Sequence, residues 1–123
     1  MESLTKRILL VEDFKPYRSL IKKLLSENPN LKVISEADDG LDAIAQAQQL
    51  RPDVILLDIG LPKLNGLEAA RRILKLVPSA KIIFLTRESD TAFVKEAFSL
   101  GACGYVLKED AKTNLLAALA AVQ

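Results

Sequence analysis

The chain has 123 residues, half of them hydrophobic and 27% charged, the balance of one ordinary globular domain long enough to bury a core. Its 17 basic and 16 acidic side chains are spread along the chain and leave a formal net charge of +1, so no basic block marks a surface for direct nucleic-acid binding. Histidine is absent, which excludes histidine-ligated metals, Ser-His and Cys-His nucleophilic pairs and phosphohistidine chemistry on this chain.

No apolar run approaches the length of a membrane span, and the opening "MESLTKR" lacks the apolar region of a signal peptide. The single Cys103 can form no internal disulfide and fits a reducing, cytoplasmic setting; it reads as a small core residue.

In chain order, short apolar strands alternate with helical patterns. "RILLVED" (7–13) reads as a strand. In the helix "YRSLIKKLLSEN" that follows, Leu20, Ile21, Leu24 and Leu25 recur on one face, and Pro16 suits the first turn. "NPN" (28–30) ends it. "LKVISEA" (31–37) alternates as an edge strand does. Asp39 is placed to cap "GLDAIAQAQQL", whose better-buried positions are Leu41, Ile44, Ala45 and Ala47.

The run Val54, Ile55, Leu56, Leu57 is what a strand buried on both faces looks like, and it ends on an acid, Asp58, followed by Gly60 and Pro62. "NGLEAARRILKLV" starts with Asn65 and carries Glu68 at capping-box spacing, with Arg72 at i,i+4 from Glu68. "AKIIFLT" (80–86) is a further buried strand, "SDTAFVKEAFSLG" a helix ended by Gly101, "CGYVLK" (103–108) the last strand and "DAKTNLLAALAAVQ" the last helix. Asp39, Asp90 and Asp110 fit caps; Phe84, Phe93 and Phe98 read as core.

Regular β-α alternation predicts an α/β fold: a five-stranded parallel sheet with helices on both faces. In the doubly wound strand order 2-1-3-4-5, strands one and three are neighbours, and ligands bind beyond the C-terminal strand ends. Those ends carry Glu12-Asp13, Asp58, Thr86 and Lys108. Crowded carboxylates repel; they either take up protons or hold a hard divalent cation that prefers oxygen ligands. Lys108 adds a point charge suited to a phosphoryl oxygen and Thr86 a hydroxyl donor, so the set is equipped for phosphoryl transfer to a carboxylate nucleophile beside a magnesium ion.

"LLVED", "VILLDIGLPKLNGLEAARRI", "IIFLT" and "GACGYVLK" together resemble, end to end, the receiver domain of two-component response regulators, and "LPKLNGLEAARRI" is most similar to receivers that precede a LuxR-type helix-turn-helix output domain. The resemblance implies a flavodoxin-like (βα)5 receiver over 1–123, with the output domain outside this chain. Asp58 would take a phosphoryl group from a partner histidine kinase or histidine phosphotransfer protein. Glu12, Asp13, Asp58 and the backbone carbonyl of Gly60 would hold Mg²⁺. Thr86 and Lys108 would bind the phosphoryl oxygens, with Thr86 and Tyr105 as the switch pair. A homodimer on phosphorylation and control of transcription are further implications; enzyme activity on other substrates and membrane association are not.

Three positions depart from the family pattern: Gly60 brings no side chain two residues after Asp58, Arg87 is bulky after Thr86, and Glu109 follows Lys108 where many members have a cis-proline. Two other classes use similar residues. A Mg²⁺-dependent phosphatase with an aspartyl nucleophile needs a general acid two residues after Asp58 and a cap domain. A flavodoxin-like binding module needs a phosphate-cradling loop where this chain has "EDFKPY".

Overall fold

Val54–Leu57 is wholly buried because a strand lies on each side of it in the sheet and helices cover both faces. The computed structural model describes residues 5–122; residues 1–4, part of the N-terminal segment read above for a signal peptide, lie outside the described residues. The elements are β1 (Lys6–Val11), α1 (Lys15–Ser26), β2 (Leu31–Ala37), α2 (Gly40–Leu50), β3 (Val54–Leu57), α3 (Gly66–Leu76), β4 (Ile82–Thr86), α4 (Thr91–Leu100), β5 (Gly104–Leu107), a one-turn 3-10 helix (Lys108–Asp110) and α5 (Ala111–Ala121). All strand pairs are parallel, in the order β2-β1-β3-β4-β5. β1 and β3 run side by side with Val11 opposite Leu57, so the residues that follow each strand leave the sheet together.

Strand alternation divides the core into two layers. Leu9, Val11, Ile55, Leu57, Ile82 and Phe84 face one way, against Ala43, Ala47, Ala70, Ile73 and Ala97 of α2, α3 and α4. Ile8, Leu10, Val54, Leu56, Ile83 and Leu85 face the other, against Ile21, Leu25, Leu115 and Leu119 of α1 and α5. Full burial of each such side chain contributes about 1.5–3 kcal/mol. β2 is an edge strand with half-buried residues, as its alternation predicts.

Several local expectations change. Leu20 and Leu41 are exposed, at 50% each, as is Phe98 at 49%. Each lies beside apolar neighbours on its helix, and the sheet takes Ile21, Ala43, Ala47 and Ala97 instead. Ala45 also faces outward. Cys103 is exposed because β5 begins one residue later. Asp110 precedes α5 but its side chain makes no capping bond: the 3-10 turn puts it at φ −105°, ψ 10°, not in the extended backbone a cap needs. Asn65 accepts from the Glu68 amide at 3.0 Å, but Glu68 turns to Arg71 and Arg72, so the capping box is half formed. Pro16 does lie in the first turn of α1, and Asp90 caps α4 through the Ala92 amide.

Asp39 is the cap on which a stability prediction rests. Its carboxylate accepts from the Asp42 amide at 2.8 Å, and that bond, with Lys63 at 3.5 Å, holds its pKa below the ordinary carboxylate value. Asp39→Ala is expected to lower unfolding free energy by about 1 kcal/mol at pH 7. Because the folded pKa is depressed, the contribution is complete above the unfolded value near 4 and fades as pH falls through the folded one. Urea midpoints of the two proteins should therefore converge at acid pH.

Candidate functional site

The acceptor, carboxylate and phosphoryl-binding candidates stand at or just past the C-terminal ends of strands, and Tyr105 lies within β5. Glu12 and Asp13 follow β1, Asp58 follows β3, Thr86 closes β4 and Lys108 follows β5. With Gly60, Phe14, Arg87 and Glu88 they line a single crevice of about 420 Å³. One carboxylate oxygen each from Glu12, Asp13 and Asp58 lies within 4.8 Å of the others. Glu12 and Asp58 are buried, whereas Asp13 is exposed and reaches the crevice from the solvent side.

Lys108 draws these charges together. Its ammonium lies 2.6 Å from Glu12 Oε1 and 2.9 Å from Asp58 Oδ2, with the side chain only 10% exposed. Burial pushes the Glu12 carboxyl above its ordinary pKa, against the opposing bonds from Lys108 and from the Phe14 amide. At Lys108 burial works downward, but the two carboxylates outweigh it and raise the pKa, so the lysine remains a cation. The other Asp58 oxygen, Oδ1, accepts a long 3.4 Å bond from the Gly60 amide.

Three oxygen donors with a solvent-side opening suit a hard divalent cation that keeps several of its waters. The fit is uneven. Both Glu12 oxygens already have partners, Lys108 and the Phe14 amide, while Asp13 and Asp58 Oδ1 are the less encumbered donors.

Thr86 and Tyr105 are joined through the backbone of one residue, Glu88. The Thr86 hydroxyl accepts from the Glu88 amide at 3.3 Å, and the Tyr105 hydroxyl donates to the Glu88 carbonyl at 2.6 Å. Tyr105 also packs its ring on Phe84 at 6.2 Å between centroids. Arg87 is exposed on the crevice rim. The Lys108–Glu109 peptide is trans, since no described peptide bond is cis.

Sequence reasoning passed over two residues of α1. Arg18 donates to the Glu12 carbonyl at 2.8 Å and pairs with Glu36 of β2 at 3.0 Å, bracing the turn after β1. Tyr17 donates its hydroxyl to the Lys108 carbonyl at 3.0 Å, and its ring lies 4.8 Å from the Lys108 ammonium. The signal available was spacing: Tyr17, Ile21 and Leu25 recur at i,i+4 on the inward face, which puts Tyr17 nearest the strand ends.

Comparison with known proteins bears out the fold and gives the family. The family model described as the response regulator receiver domain matches residues 8–120. The chain belongs to the response regulator receiver domain family. Among similar proteins is the transcriptional regulatory protein DegU of Brevibacillus brevis, 35% identical over 84% of this chain and 44% of that protein. A protein-glutamate methylesterase/protein-glutamine glutaminase of Pyrococcus abyssi is 38% identical over 89% of this chain and 30% of its own length. A LuxR-family two-component response regulator from Aurantimonas sp. SI85-9A1 superposes with a TM-score of 0.92 at 34% identity, covering 96% of this chain and 84% of that one. The receiver chain spans about half the length of the transcriptional regulators it matches, 44% to 56%. Among the described residues no helix is long and apolar enough to cross a membrane.

Gly66 lets α3 approach the backbone of the central acid. Its amide donates to the Ile59 carbonyl at 2.7 Å, and a Cβ there would stand 1.9 Å from the Asp58 carbonyl oxygen. A Cβ at Gly60 meets nothing within 4 Å. In this receiver Gly66→Ala is expected to cost about 1–3 kcal/mol by forcing backbone apart, whereas Gly60→Ala leaves the urea midpoint nearly unchanged.

Proposed function

We propose that residues 1–123 are the receiver domain of a longer regulator and that Asp58 is its phosphoacceptor. The observation that carries this reading is the Lys108 ammonium held between Asp58 Oδ2 and Glu12 in a crevice of converging carboxylates. The donor is a phosphohistidine on a histidine kinase or histidine phosphotransfer protein. An Asp58 oxygen attacks phosphorus, the P–N bond breaks, and its electron pair leaves with the imidazole nitrogen. The product is an acyl phosphate.

Asp13 and Asp58, with the Gly60 carbonyl and with Glu12 behind them, would hold Mg²⁺. The ion supplies positive charge against the transferring phosphoryl oxygens. Lys108 exchanges part of its carboxylate contacts for a phosphoryl oxygen, and Thr86 donates its hydroxyl to another. Turnover is confined to the domain's own phosphorylation and dephosphorylation.

Intact mass after incubation with acetyl phosphate tests the assignment. One Mg²⁺-dependent, base-labile phosphoryl group is expected on wild type and none on Asp58→Asn; equal labelling of that variant would refute the assignment. In the same series Asp13→Ala should weaken Mg²⁺ binding far more than Asp39→Ala, read by titration, because Asp39 caps α2 away from the crevice.

The switch would work through Glu88, whose N–H and C=O bond Thr86 and Tyr105. Once Thr86 turns its hydroxyl toward a phosphoryl oxygen, the bond from the Glu88 amide to that hydroxyl is given up, which loosens the loop that Tyr105 holds from the carbonyl side. Tyr105 then moves toward the space Thr86 leaves, and the surface of α4, β5 and α5 is reorganised. The further consequence is control of a DNA-binding output by homodimer formation in the cytoplasm; the transcriptional regulator DegU supports the output, and the 28% identical RcsB, solved as dimers bound to DNA, supports the dimer. Hydrogen exchange over residues 86–110, with and without beryllofluoride and Mg²⁺, should change, with the Glu88 amide among the affected sites. An unaltered window counts against the switch.

A further inference from the structure

A lysine side chain is a flexible stem bearing a compact charge, so an ammonium fixed at one place needs partners for its three protons. At Lys108 two of the partners are Glu12 Oε1 and Asp58 Oδ2. Both are carboxylates of the acidic cluster, and both change when a cation and a phosphoryl group enter it. The third neighbour is neutral: the ammonium lies 4.8 Å from the centroid of the Tyr17 ring, inside the range of a cation–π contact. The same tyrosine donates its hydroxyl to the Lys108 backbone carbonyl at 3.0 Å, a carbonyl that also accepts from the Ala111 amide where α5 begins. Tyr17 therefore grips Lys108 at both ends of the residue, from a first turn of α1 that Pro16 helps to fix.

We propose that Tyr17 is the positioning residue for Lys108: its ring and hydroxyl keep the ammonium aimed at Asp58 through the exchange of the carboxylate partners for a phosphoryl oxygen. The proposal rests on the reading of Lys108 as the phosphoryl-binding cation. Tyr17 touches no reacting atom; it acts through the lysine. A purely structural account, in which Tyr17 only packs beside Ile21 and Leu24, predicts the same effect whether or not Lys108 is present.

The test is a double-mutant cycle of Tyr17→Leu with Lys108→Ala, plus Tyr17→Phe, reading the rate of phosphorylation by acetyl phosphate at saturating Mg²⁺. A cation–π contact of this kind corresponds to a loss on the order of threefold to thirtyfold. That loss is expected for Tyr17→Leu in the wild-type background and absent in Lys108→Ala. Tyr17→Phe keeps the ring and the volume and is expected to fall between. Separately, the Lys108 ε-methylene proton resonances should be shifted upfield by the ring in wild type and in Tyr17→Phe, return to ordinary values in Tyr17→Leu, and stay upfield with beryllofluoride and Mg²⁺ bound.

Equal slowing by Tyr17→Leu in both backgrounds overturns the proposal, as does loss of the upfield shift on beryllofluoride binding. If Lys108→Ala is phosphorylated at the wild-type rate, the reading of Lys108 falls and this proposal with it. If Lys108→Ala is impaired while wild-type ε-methylene shifts are ordinary, only the role of Tyr17 falls. Should Tyr17→Leu not fold, the resonances and rate of Tyr17→Phe decide: ordinary shifts in that variant, with the ring still in place, overturn the contact.

Discussion

The carboxylates of Glu12, Asp13 and Asp58 approach within 4.8 Å of one another at one end of a buried sheet, and two of the residues are themselves buried. At an effective dielectric near 20, each like-charged pair at that separation repels by on the order of 3 kcal/mol. The Lys108 ammonium between Glu12 and Asp58 offsets much of this, and it is what permits folded chain to hold both acids out of water. One ammonium against three carboxylates still leaves an excess of negative charge. A divalent cation would complement that excess.

The fold serves that charge arrangement. β1 and β3 are neighbours only because the sheet is doubly wound, and that adjacency brings Glu12-Asp13 beside Asp58. The tight approach of α3 at Gly66 fixes the Asp58 backbone, and Arg18 fixes the Glu12 carbonyl through Glu36 of the edge strand. β5 lies on the other flank, so Lys108 reaches across β4 to the acids, and its stem is covered on the way. The backbones of Asp58 and Glu12 are thus braced by different elements, α3 and α1, and neither of these two braces uses a carboxylate oxygen of the acid it holds.

Legibility in the sequence follows how local the cause is. Regular β-α alternation implied the parallel sheet, the order 2-1-3-4-5 came from doubly wound sheets of that kind, and the strand ends then marked Glu12, Asp13, Asp58, Thr86 and Lys108 as candidates. Faces of helices were harder. α2 and α4 are apolar on more than one side, so periodicity could not tell Leu41 from Ala43, or Phe98 from Ala97; the sheet selects the small residues because they allow close helix approach. Asp110 misled for another reason: a 3-10 turn between strand and helix changes its backbone angles, and nothing in "KEDAK" marks that turn. Tyr17 and Arg18 were invisible as site residues because their partners, Lys108 and Glu36, are distant in sequence and the contacts are to backbone carbonyls or across elements.

In the proposed switch, the loop after β4 is where charge chemistry would become shape. Thr86 and Tyr105 hold Glu88 from both sides, one accepting from its N–H and the other donating to its C=O. Neither bond is buried deeply, and each is worth only about 1 kcal/mol net. Weakness is the useful property here. A hydroxyl drawn to a charged phosphoryl oxygen would form a charge-assisted bond roughly twice as strong as the neutral one it abandons, enough to tip a loop held this lightly, whereas the strands on either side are packed at 0–4% exposure through Ile83, Phe84, Leu85 and Val106. On that proposal a local exchange of hydrogen bonds would act on the loop after β4, while the buried strands beneath it hold the acids in place.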